Sequence, residues 1–333
     1  MKVVNANNSA LHWLIAVLVA VSGCSTDHDP KQFIILDTDI ATDYDDAGAV
    51  AMLHGLAKRR ECRILATIAS TNNEKVPKVL AILNSYFGDS SIPVGKAHAG
   101  APQMMAANGW VDSVCVRFGD WLGAEEPHFE GAVSLYRKTL AQSPDTSVTI
   151  LSIGFLSNLA ALLASEGDTY SDLNGVQLIR TKVAKLVMMG GAFPEGREYN
   201  IQEDADAALQ VFEHWPTKII CSGYEIGSKI FTGSRFSMVP DDENPVNWVY
   251  RYNFAARNEE VRESWDQATV LMAVTDPDRY FYVHGPGQVT VSQDGFNSWN
   301  PENDARHFFV SPKYPYPVIE KRIEKLMIDP TKN

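Results

Sequence analysis

The feature that most constrains the fold is an alternation of short apolar runs with longer amphipathic segments, sustained from residue 33 to residue 274. Apolar and β-branched runs predict strands over 33–36, 64–69, 92–95, 147–153, 183–189 and 218–222. Helical spacing predicts helices over 47–58, 75–87, 131–141, 156–164, 204–214, 247–263, 266–274 and 319–327. Residues 98–128 lack clear periodicity and read as a long functional loop or flap. Residues 280–312 are richer in Gly, Pro and aromatics, with two short strands expected. Strands alternating with helices imply an α/β fold with a mainly parallel central sheet and helices on both faces. With no repeat and no Ser/Gly-rich linker, residues 33–333 read as a single domain. Ligands of such sheets bind beyond the carboxyl ends of the strands. That places three segments at one rim: the residues after the first strand, residues 70–73 and residues 152–156.

The segment ahead of the alternation is of another kind. Residues 14–21 read LIAVLVAV, too short to span a bilayer as a helix but of the length of a signal-peptide core. Its charged flank is sparse, with Lys2 and His12. Ser22-Gly23-Cys24 follows and resembles the lipobox of bacterial lipoproteins. Residues 1–23 are expected to be a lipoprotein-type signal peptide, Cys24 the lipidated residue and 24–32 a polar tether. The expected location is outside the cytoplasm, lipid-anchored to a bacterial membrane. A plain signal peptide with a chance cysteine is the alternative. Cys62, Cys115 and Cys221 then remain, with no CxxC pair, which excludes a zinc ribbon or a thioredoxin motif. One disulfide plus a free thiol, or three free thiols, both fit.

The chain carries 29 basic and 41 acidic side chains, a net charge of −12. That balance argues against a nucleic-acid binder, which needs basic surface for phosphates, and against electrostatic docking on an anionic membrane. It leaves room for an acidic site that collects a cation.

Such a site is visible at the end of the first strand. Asp37-Thr38-Asp39-Ile40-Ala41-Thr42-Asp43-Tyr44-Asp45-Asp46 places five carboxylates within ten residues. Clustering them costs self-repulsion unless a cation neutralises it. Oxygen ligands suit a hard divalent ion, and the absence of His and Cys from the cluster disfavours zinc. Helix capping accounts for one or two of these carboxylates, not for five. The spacing is not that of an EF-hand.

The motif, in the form DTDIATDYDDA, resembles the opening of the inosine-uridine nucleoside hydrolase family, with Ala41 where that family carries Gly. The resemblance continues in order through LSIGFLSN at 151–158, KLVMMGGA at 185–192, Glu198-Tyr199-Asn200 with Asp204 beyond, and Ser264-Trp265-Asp266. It covers roughly residues 33–275. It implies a Ca2+-dependent hydrolase that cleaves the N-glycosidic bond of ribosides, giving free base and ribose for purine or pyrimidine salvage. By the same resemblance, Asp39, Asp45 and Asp266 would be carboxylate ligands of the Ca2+, with the backbone carbonyl of Ile153 beside them. Asp46 would be a weaker ligand or a partner of a ribose hydroxyl, and Asp37 would stand behind the ligands. Asp39 would be the general base, acting on a water acidified by the metal. Glu198 and Asn200 would grip ribose hydroxyls, with Asn72 or Asn73 on the opposite side. The substrate partner would be a small riboside, and a homo-oligomer is compatible with relatives.

The departures concern the leaving group. The family carries His before its final Asp, and this chain carries Trp265, which can stack on a base but cannot donate a proton as an acid. Tyr224 and Glu225 are alternative helpers from the same half of the chain. Glu198 also fits a plain loop-to-helix cap. His54 reads as packing, His98 and His128 flank the expected flap, and Trp110 reads as cover for the base or as core. Two other functions compete. A haloacid-dehalogenase-like phosphatase would use Asp37 as nucleophile with Mg2+, leaving Asp45, Asp46 and Asp266 without a role. A lipid-anchored, non-catalytic riboside-binding protein would not need the proton acceptor at Asp39.

Overall fold

A computed structural model describes residues 32–328 except 125, 126 and 304. The expected signal peptide, Cys24 and all but the last residue of the expected tether lie outside the described residues. The strands are β1 (Phe33–Thr38), β2 (Arg63–Ala69), β3 (Val94–Lys96), β4 (Glu130–Gly131), β5 (Val148–Ile153), β6 (Val183–Met189), β7 (Glu195–Arg197), β8 (Lys218–Ser222), β9 (Phe231–Thr232), β10 (Arg262–Glu263), β11 (Phe281–Val291), β12 (Phe296–Asn300) and β13 (His307–Pro312). Eleven of them form one sheet in the order β4-β3-β2-β1-β5-β6-β8-β13-β11-β12-β7. Pairing is parallel from β4 across to β13 and antiparallel over β13, β11, β12 and β7. β9 and β10 form a separate antiparallel pair.

The period of two along β1 distributes the core. Ile34 and Leu36 pack into one cluster with the helices Asp45–Lys58, Val76–Tyr86, Trp265–Val274 and Tyr316–Ile328. Ile35 packs into the other, with the helices Ala132–Gln142, Ser157–Leu163, Gly175–Lys182 and Ala205–His214. Helices therefore cover both faces, as the α/β reading expects. The same alternation sets Asp37 and Thr38 on opposite faces. Asp37 points to the side of Ile35, where Tyr136 Oη donates to it at 2.7 Å and Asn158 Nδ2 at 3.0 Å. Thr38 points to the side of Leu36, where its hydroxyl donates to Asp46 at 2.5 Å.

Several segments depart from expectation. The stretch 98–128 contains a helix, Trp110–Phe118, and a 3-10 turn, Gly119–Leu122. Trp110 is fully buried in the core beside the helix Val76–Tyr86, so it covers no ligand. The helix Gly175–Lys182 has no counterpart in the expected elements, although its capping box, Asn174 with Gln177, is written in the sequence. The expected helix over 247–263 ends at Arg257, because Asn258 turns left-handed at φ 55° and the chain then enters β10. Residues 280–312 form three antiparallel strands where two are expected. Cys62, Cys115 and Cys221 are all free thiols, and burial raises the Cys62 thiol to about 12.

Two close approaches hold the rim together, and both need glycine. A Cβ on Gly154, just after β5, would stand 2.5 Å from the Asp39 nitrogen and 2.4 Å from Ser70 Oγ. A Cβ on Gly227 would stand 2.2 Å from Trp265 Cα. Gly154→Ala is therefore expected to destabilise the protein by about 1–3 kcal/mol through overpacking against backbone. Chemical denaturation measures this, and an unchanged midpoint would contradict the packing described.

Candidate active site

Two helices begin at the carboxyl rim with their first turns side by side. Asp45 and Asp46 occupy the first turn of Asp45–Lys58, and Asp266 the first turn of Trp265–Val274. The Asp266 N–H donates to Asp45 Oδ2 at 3.2 Å. One carboxylate oxygen from each of Asp45, Asp46 and Asp266 lies within 4.8 Å of the others, and all three residues are buried. Helix N-termini favour negative charge, which explains the placement but not the number. Burial outweighs that help. It pushes the Asp45 carboxyl up to about 8, and those of Asp46 and Asp266 well above their usual range, with neighbouring carboxylates adding to the rise. Three buried carboxylates with oxygen donors alone fit a hard divalent cation.

These residues line a cavity of about 330 Å3. Asp39, Ile153, Met189, Glu198, Asn200 and Trp265 also line it. Asp39 is held by Thr42 Oγ1 at 2.6 Å, and burial pushes its carboxyl up to about 7. It is not one of the three tightly clustered carboxylates, yet its charge is the strongest that Asp46 feels. Asp46 belongs to the cluster, so both carboxylates of the Asp45-Asp46 pair face the candidate cation position.

Glu198 fills two descriptions at once. It caps the helix Tyr199–Glu203, accepting from the N–H groups of Asn200 at 2.8 Å and Ile201 at 3.2 Å, and it accepts from Gly191 at 3.2 Å. It also lines the cavity, and burial pushes its carboxyl up to about 7. Asn200 donates to the Met189 carbonyl at 3.3 Å, which fixes its amide at the cavity wall. Asn72 and Asn73 are not among the cavity-lining residues. Their amides donate to the carbonyls of Ala99 at 3.3 Å and Met104 at 3.1 Å, tying down the loop that follows β3.

Trp265 stacks on Tyr224, with ring centres 5.7 Å apart, and donates from Nε1 to the Tyr224 carbonyl at 3.0 Å. Tyr224 and Tyr199 join the lining, each about half exposed. Glu225 instead accepts from the Phe193 N–H at 3.2 Å and does not line the cavity. No histidine is among the lining residues. His54 is buried and bonded to Asn84 at 3.0 Å, the His98 ring accepts from Gly100, and His128 lines a different surface hollow. Arg262 is the functional candidate that sequence reasoning did not single out. Its guanidinium pairs with Asp43 inside the lining, 219 positions away in sequence, so no local spacing announces it. Asp37 is buried away from the cavity on Tyr136 and Asn158, which removes the nucleophile that a dehalogenase-like phosphatase requires.

The chain is 33% identical over 199 residues to the pyrimidine-specific ribonucleoside hydrolase RihA of Shewanella sp. (strain MR-4), covering 54% of this chain and 55% of that protein. It thus spans about half the length of the curated relatives it matches. Its fold resembles an inosine-uridine preferring nucleoside hydrolase from Bacillus anthracis (TM-score 0.68, 16% identity, 89% of this chain and 99% of that one). It also resembles a purine-preferring ribonucleoside hydrolase from Gardnerella vaginalis (TM-score 0.64, 18% identity, 89% and 99%). The family model described as inosine-uridine preferring nucleoside hydrolase matches residues 34–306, from β1 to the residue before β13, and the chain belongs to that family.

Proposed function

We propose that the protein is a Ca2+-dependent hydrolase of the N-glycosidic bond of ribonucleosides or related ribosides, releasing free base and ribose. The observation that carries this reading is the meeting of Asp45, Asp46 and Asp266 in a cavity that Asp39, Glu198 and Asn200 also line. Asp45, Asp46 and Asp266 would hold the cation, with Asp39 and the Ile153 carbonyl beside them. A divalent cation there supplies Lewis acidity toward oxygen ligands, water and sugar hydroxyls included.

The chain's own groups divide the remaining work. Asp39, held by the Thr42 hydroxyl at 2.6 Å and lining the cavity beside the cation cluster, accepts the proton of the attacking water. Glu198 has bonds to three backbone N–H groups and retains acceptor capacity for a ribose hydroxyl. Asn200 holds the sugar from the same wall, fixing the anomeric carbon relative to the water. Bond cleavage builds positive charge on the sugar ring, and the surrounding carboxylates stabilise it. Trp265 and Tyr224 form an aromatic face for the departing group. The relatives include purine-preferring and pyrimidine-specific enzymes, so the base identity follows from this face and not from family membership. The apolar run at 14–21 and Ser22-Gly23-Cys24 support export and anchoring through Cys24.

Incubation with a panel of purine, pyrimidine and nicotinamide ribosides, read by mass spectrometry for base and ribose, tests the proposal. Release that stops on chelation and returns with Ca2+ is expected; release insensitive to chelator would remove the cation from the reaction. Asp39→Asn is expected to lower kcat at least about 100-fold in a protein that still folds and binds Ca2+. Turnover near wild type would take the base role from Asp39. Trp265→Ala is expected to raise KM while leaving Ca2+ affinity within about twofold, since its ring contributes contact area and no ligand. An unchanged KM for every accepted riboside would count against it.

A further inference from the structure

We propose that Arg262 is a positioning residue that holds a further carboxylate, Asp43, off the cation cluster and so keeps ligand positions open for substrate oxygens. The inference rests on the hydrolase reading above. Asp43 lines the same cavity as Asp45, Asp46 and Asp266. Its charge reaches all three of them and Asp39 as well. Yet it is not one of the three carboxylates that meet within 4.8 Å. A carboxylate so close to a position that gathers carboxylates needs a reason to stay outside.

Arg262 supplies it. Its Nη2 donates to Asp43 Oδ2, and the other Asp43 oxygen accepts from the Tyr44 N–H at 2.7 Å. The guanidinium is itself fixed. Nη1 donates to Glu263 at 3.1 Å and lies 3.8 Å from Glu259, and the group sits 5.3 Å from the ring centres of both Tyr44 and Trp265. Tyr44 Oη donates to Glu259 at 2.5 Å, which ties the Asp43 loop to the segment leading into Asp266. The pair is mostly buried, with side-chain exposures of 12% for Arg262 and 26% for Asp43, so water screens it weakly. A cation surrounded by protein carboxylates alone has few positions left for a diol, whereas a catalytic metal site keeps positions open. Without Arg262, Asp43 is a partly buried carboxylate with no counter-charge, and the cation becomes its nearest remedy.

The test is calorimetric titration with Ca2+ alone, no riboside present, on wild type, Arg262→Gln, Asp43→Asn and the double variant, followed by riboside kinetics on each. Arg262→Gln is expected to bind Ca2+ about tenfold more tightly, because a buried positive charge is removed and a ligand is freed. Its riboside KM is expected to rise more than its kcat falls. Adding Asp43→Asn is expected to return both affinity and KM toward wild type, and a merely structural role for Arg262 would not yield that reversal. Equal or weaker Ca2+ binding in a folded Arg262→Gln, or tighter binding that persists in the double variant, overturns the proposal. Arg262→Met, with a stem of similar length, decides the question if Arg262→Gln does not fold. If wild type cleaves no riboside, the hydrolase reading falls, while the Ca2+ titrations still decide what Arg262 does to Asp43.

Discussion

Burial of mutually repelling carboxylates is the constraint on which the rest of the site depends. Asp39, Asp45, Asp46 and Asp266 are all nearly inaccessible, and the carboxyl of each is raised chiefly by loss of water. A fold selected for stability alone has no reason to assemble them. Two helix N-termini, the hydroxyls of Thr38 and Thr42 and one backbone N–H from Asp266 offset part of the cost. The remainder is of the kind that a divalent cation removes.

The parallel sheet makes that assembly possible. β1 and β5 end side by side, with Thr38 opposite Ile153, and the chain leaves each at the same rim. The helix after β1 carries Asp45 and Asp46 there. The helix that carries Asp266 reaches the same place from more than 200 residues away, packed against the first helix and admitted by Gly227. The chain leaving β6 passes through β7 and delivers Glu198, as the cap, and Asn200, in the first turn, of a short helix. One rim thus gathers a cation site, a base and a sugar grip from segments that share only their position at strand ends.

Much of this was legible in the sequence, for identifiable reasons. The apolar run of β1 and the period of the flanking helices announced the α/β layering, and five carboxylates in ten residues announced an unusual strand end. Sequence order could not separate the five. Tertiary partners do so in the structure: Asp37 turns to Tyr136 and Asn158 on the face of Ile35, Asp39 lies beyond the end of β1, and Asp43 is taken up by Arg262. Asn72 and Asn73 illustrate the converse. Their position at the rim suggested substrate, but the loop after β3 takes their amides, a contact set by tertiary packing. Trp110 was ambiguous for a similar reason, since a lone aromatic in an aperiodic stretch carries no sign of which side it faces. Arg262 left no local trace, because its partner lies across the fold.

The most direct measurement of the central claim is the melting temperature of wild type and of Asp45→Asn/Asp266→Asn, each with Ca2+ and with chelator. If the cluster is held together for a cation, Ca2+ raises the wild-type melting temperature, by linkage to the folded state. The double variant, relieved of two buried charges, then melts no lower than wild type in chelator and does not respond to Ca2+. A double variant that melts well below wild type in chelator, together with a wild type indifferent to Ca2+, would show that the carboxylates serve the fold itself and would contradict the account.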